Sequence, residues 1–165
     1  MASNVPFVRQ ISWISLIPHF LTMLILITLF KYFETPYPYA LASAFYLLLT
    51  YGIRYILTKD HIKGIKLVKS NKFNEAIPCF EKSYQFFSRN SWIDKYRYVT
   101  LFSASKMSYK EMALCNIAFC YSQINEGLKA IEYYEKTLQE YPENGLAKAG
   151  LKMLNSALLI EKKEE

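Results

Sequence analysis

Formal charge is nearly missing from the first third of this 165-residue chain: residues 1–57 carry only Arg9, Lys31, Glu34 and Arg54. Cysteine is scarce and odd in number. Cys79, Cys115 and Cys120 form no Cys-x-x-Cys pair, which argues against a disulfide framework and a thiolate zinc site. Each lies among apolar residues at helical spacing, where a free thiol acts as a small buried hydrophobe and suits a reducing compartment. Histidine is confined to His19 and His61. There is no Gly-rich phosphate loop, no metal-ligand spacing and no nucleophile elbow. These gaps point to a non-enzymatic chain with no cofactor and no metal. A Cys115–His61 dyad is conceivable, but nothing selects it. From residue 58 onward bases and acids alternate, with a net of about +4. Mixed signs of this kind make a solvated helical surface, not the basic stripe that nucleic acid requires.

What fills the uncharged third is apolar. Between Arg9 and Lys31 lie 21 residues without formal charge, QISWISLIPHFLTMLILITLF. As a helix they span about 31 Å, close to the hydrocarbon thickness of a bilayer. They are apolar on every side, unlike a soluble surface helix. Pro18 predicts a kink. His19 reads as a neutral ring hydrogen-bonded across to a partner helix. A proton or ligand site is disfavoured because neither span holds an acid. A second uncharged stretch runs from Thr35 to Ile53, extended by a snorkelling Arg54. The spans are placed at about 11–32 and 39–57. Tyr32, Phe33, Tyr37 and Tyr39 mark one edge, and Trp13, Tyr51 and Tyr55 the other, as in an aromatic belt.

The connection Glu34–Pro38 is too short for anything but an antiparallel hairpin. Arg9, Arg54, Lys59, Lys63, Lys66 and Lys69 flank one end, against Lys31 and Glu34 at the tip. The positive-inside rule then puts both termini in the cytoplasm. A cleavable signal ending near Ala40-Leu41-Ala42 is disfavoured, because the first apolar run is too long and a second follows at once. One span with a half-inserted second helix stays open.

From His61 onward the pattern is all-α. Asn71 precedes a stripe of Phe73, Ala76, Ile77, Phe80, Tyr84 and Phe87, with Pro78 expected to bend or weaken that helix. Ser91 with Asp94, and Ser108 with Glu111, resemble capping boxes. Asn125 precedes Leu128, Ile131, Tyr134 and Leu138. Asn144 caps a last helix carrying Leu151, Leu154 and Leu158.

Leu114, Ile117, Ala118, Tyr121, Ala130, Tyr134 and Pro142 fall at fixed offsets within 34 residues. In that order they resemble the signature of the tetratricopeptide repeat. Small residues at 118 and 130 let two helices approach, and Tyr121 and Tyr134 fill the space beside them. Fifty-four residues earlier the same frame gives Gly64, Leu67, Ala76 and Phe80, with departures at Asp60, Lys63 and Ser88. Both copies share Ala-Ile-x-x-Phe/Tyr-Glu-Lys. The extra spacing implies an inserted helix near 91–104, and the last helix implies a cap. The organisation read is a hairpin over 1–57 and a small two-repeat domain over 58–165.

The resemblance implies a binding scaffold. Its groove positions would be His61, Ile65, Val68 and Lys69, then Met112, Cys115, Phe119, Ser122 and Gln123. The clamp by which one branch of the family grips a C-terminal carboxylate is not supported, since His61, Ile65, Cys115 and Phe119 replace its Lys and Asn. An apolar lining suits a hydrophobic segment or helix, although the same residues could instead pack on the inserted helix. Three functions follow. One is a membrane-anchored adaptor recruiting a protein partner. The alternative is an accessory subunit of an integral membrane complex whose contacts are made by the hairpin, with Pro18, His19, Ser43 and Ala44 as packing features. The third sets the basic helix 58–70 on anionic headgroups. Self-association is compatible with each, and the composition suits a bacterial inner membrane.

Overall fold

The computed structural model describes residues 11–164, and side chains within 11–158. Arg9, used in the charge asymmetry, and the C-terminal acid Glu165 lie outside the described residues. Among those residues all regular structure is helical, apart from one isolated antiparallel bridge between Ile11 and Ser105. The chain forms two compact units. The first joins the described residues up to Leu57 with Trp92–Ser108, and the second joins Thr58–Ser91 with the residues from Tyr109 onward.

The first unit is built on a helical hairpin. A 3-10 turn over Trp13–Ser15 leads into α1 (Leu16–Tyr32), and α2 (Pro38–Leu57) returns beside it. Both helices are long and apolar enough to cross a membrane. The turn between them holds Glu34 at φ 51° and Tyr37 at φ 58°. Pro38 follows as the first residue of α2, where a missing N–H costs nothing. In α1 the α-helix proper starts only at Leu16, so Pro18 falls in its first turn, where proline is tolerated. The segment read as one extra helix is two short ones, α5 (Ser91–Lys95) and α6 (Arg97–Thr100). It packs with the hairpin: α6 lies on α1 and on the Trp13–Ser15 turn.

The second unit is a stack in which each helix packs on the next. Its elements are α3 (Lys59–Lys69), α4 (Phe73–Arg89), α7 (Tyr109–Gln123), α8 (Gly127–Glu140) and α9 (Gly145–Glu164). The core holds Ala76, Phe80, Phe87, Leu114, Ile117, Ala118, Cys120 and Ala130, all essentially sealed from solvent. α4 runs through Pro78, which lies on its exposed side.

Asn71 and Asn125, which precede the apolar stripes of α4 and α8, close the helices before them. Both take the left-handed conformation, at φ 57° and 62°. In each turn the next N–H reaches back five residues: Lys72 to the Leu67 carbonyl at 2.9 Å, Glu126 to that of Tyr121 at 3.0 Å. This is the capping geometry that Asn tolerates at a helix C-terminus. The two turns lie fifty-four positions apart in the chain.

Candidate partner-binding site

The positions that the repeat resemblance assigns to a groove lie on α3 and α7, which touch each other. They separate by burial. His61, Val68 and Cys115 are turned inward, Ile65, Met112, Phe119 and Ser122 are half-buried, and Lys69 and Gln123 are exposed. The accessible surface is therefore narrower than the nine residues. It is limited to the half-buried apolar Ile65, Met112 and Phe119 and the polar Lys69, Ser122 and Gln123. Phe73 joins it, meeting Phe119 edge-to-face at 6.1 Å. Position 73 escaped sequence reasoning because its 3.6-residue spacing assigned it to the core stripe of α4.

The inward residues have their own partners. His61 Nδ1 lies 3.3 Å from Ser83 Oγ on α4, and its ring meets Phe80 and Tyr109 edge-to-face at 5.5 and 5.3 Å. Full burial lowers its pKa to about 4, so the ring is neutral at pH 7. Cys115 is coupled to Asn144 and Thr137, toward α8 and α9. Burial, and after it the charge of Glu111, push its thiol up to about 12. A neutral imidazole aimed at Ser83 and a protonated thiol aimed at Asn144 do not make a thiolate–imidazolium dyad. Asn144 does cap α9 as read: its Oδ1 accepts the Ala147 N–H at 2.7 Å, while its Nδ2 donates to Glu111 Oε1 at 2.8 Å. No cluster of three metal-ligating side chains occurs among the described residues.

In the first unit, His19 Nδ1 is 2.6 Å from the Tyr46 hydroxyl, a hydrogen bond across the hairpin. Phe102 closes the same site. Its ring lies 5.6 Å from His19 and 6.2 Å from Tyr46, and its carbonyl accepts from Arg54 Nη2. Phe102 holds φ at 47°, rare for a bulky residue, and is buried between Leu101 and Ser103, which are buried too. Arg97 fixes the loop beyond it, donating to the carbonyls of Asp94, Ser105 and Lys106. The Ser12 N–H donates to the Ala104 carbonyl at 2.9 Å.

No protein-family model, no curated protein and no solved structure matches this chain.

Proposed function

We propose that this protein is a membrane-anchored, non-enzymatic scaffold of tetratricopeptide type that recruits a protein partner to the cytoplasmic face of a bacterial inner membrane. The observation that carries this reading is a packing unit that recurs in the second unit. Twice a helix pair is closed by a left-handed Asn, at 71 and 125. Twice a small residue on the first helix has an aromatic ring sixteen positions later, as Gly64 with Phe80 and Ala118 with Tyr134. The pairs stack in sequence order, with α9 covering the last, as helical repeats do. The Gly64 and Ala118 frame is the one in which the repeat signature was read.

The anchor follows from surface chemistry. Leu24, Ile25, Leu29, Leu47 and Leu48 are all exposed on the hairpin, and only Ser15, Leu26 and Ala42 are buried along its helical turns. So broad an apolar surface is what lipid covers. Arg54, Lys59, Lys63, Lys66 and Lys69 at one end, against Lys31 and Glu34 at the other, favour the cytoplasm for both termini. The half-buried Ile65, Met112 and Phe119 suit the apolar face of a partner helix.

The test is a pull-down of the full-length protein in mild detergent beside Phe119→Glu and Lys69→Glu. A soluble partner weakened by Lys69→Glu and lost with Phe119→Glu, at unchanged helical circular dichroism, is the expected result. An integral membrane partner retained by both variants would transfer the specific contact to the hairpin, as in an accessory subunit.

A further inference from the structure

We infer that residues 92–100 form a third membrane-contacting element, which lies in the headgroup layer beside the Trp13 end of the hairpin. The inference rests on the hairpin being membrane-inserted.

The segment is apolar on two faces. Ile93 is buried on the inner one, and the buried Leu101 and Phe102 continue it in the loop just after α6. Trp92, Tyr96 and Val99, at helical spacings of four and three, form the other and are 60%, 57% and 58% exposed. One buried face is enough to hold a short segment in place. A second apolar face facing water is uncompensated, and its residue types are those that settle at headgroup depth.

Three features identify the occupant as lipid. The first is continuity. α6 packs on α1 and on the 3-10 turn whose Trp13 and Ile14 are 79% and 67% exposed, within one compact unit. The second is position along the hairpin. Phe102 is held by Arg54, three residues from the end of α2, and Ala104 by Ser12, just ahead of Trp13. The segment thus sits at the end opposite the Glu34 turn. The third is charge. Lys95 is exposed and Arg97 half-buried, while Asp94, the segment's acid, is buried. The charge left outside is positive, which suits anionic headgroups.

Trp13 and Trp92 are the two tryptophans of the chain, so each can be made the sole reporter. Full-length Trp13→Phe and Trp92→Phe proteins are reconstituted into phosphatidylcholine–phosphatidylglycerol vesicles, with and without acyl chains brominated near the carbonyl end. Emission is read with iodide or acrylamide as aqueous quenchers. In Trp13→Phe, which reports Trp92, the expected result is blue-shifted emission that loses most of its intensity to brominated lipid and little to iodide. Trp92 open to iodide and untouched by bromine, while Trp13 is quenched by bromine, overturns the inference and leaves the anchor intact. Trp92 shielded from both quenchers also overturns it, since protein then covers the face. If neither tryptophan responds to bromine, the anchor reading falls together with the inference.

Discussion

His61 shows how much a single buried side chain can control. The ring sits between Phe80 and Tyr109 with Ser83 as its hydrogen-bond partner, and burial lowers its pKa from 6.5 to about 4. Between those values the unfolded chain binds the proton and the folded chain does not. Stability from this site is therefore complete above pH 6.5 and is lost progressively as pH falls toward 4. Each pH step costs about 1.4 kcal/mol, so lowering the pH from 6.5 to 5 removes about 2 kcal/mol. Denaturant midpoints of the full-length protein in detergent at pH 7 and pH 5 measure this. The wild type should lose about that much more than His61→Leu; equal losses in the two proteins would remove His61 from the account. The same burial takes His61 out of the groove that the repeat resemblance implies. Its apolar neighbours at helical spacing were legible, but its partner Ser83 is on another helix, and no local pattern announces that pairing.

At the scale of helices, the close approach of α3 and α4 depends on Gly64. A Cβ there would stand 2.7 Å from Phe80 Cε1. Alanine in a helix is favoured over glycine by about 1 kcal/mol, but pressing a methyl into a packed ring costs about 1–3 kcal/mol. Gly64→Ala should therefore lower stability by about 1 kcal/mol, and Phe80→Leu in that background should recover part of it. Gly127, at the start of α8, has nothing within 4 Å of where a Cβ would stand, so Gly127→Ala should stay within about 0.5 kcal/mol of wild type. Comparable losses at both sites would disprove the packing argument. The helices themselves were well marked in the sequence, because apolar periodicity and the length of the uncharged runs are local signals. Their starts were less so. The 3-10 turn that delays the start of α1 to Leu16 has no sequence mark. Asn71 and Asn125 precede apolar stripes yet close the helices before them, because Asn serves both at helix starts and at left-handed helix ends.

For the whole molecule, the all-α class and two helices fit to cross a membrane were legible, while the membership of the first unit was not. Phe102 is far in sequence from His19, Tyr46 and Arg54, yet packs with all three, and composition carries no record of such pairing. The proposed topology has a direct assay, helped by the burial of Cys79, Cys115 and Cys120. Burial, the leading cause, pushes the Cys115 and Cys120 thiols up to about 12, so the native cysteines give little background with a membrane-impermeant maleimide. Glu34→Cys, in the exposed turn, should label from the periplasmic side of intact cells. Gln85→Cys, exposed on α4, should label only after lysis. The reverse pattern would invert the topology, and labelling of both in intact cells would end the cytoplasmic assignment.

The discontinuity of the first unit has a consequence in time. The hairpin sequence leaves the ribosome before Phe102 does, with α3 and α4 translated in between. At roughly 5–20 residues per second that gap lasts several seconds. During it, His19 and Tyr46 have each other but not the ring that later covers them, and Arg54 lacks the carbonyl it will hold. The newborn hairpin thus passes through a period of incomplete assembly, which the arrival of residues 92–108 ends.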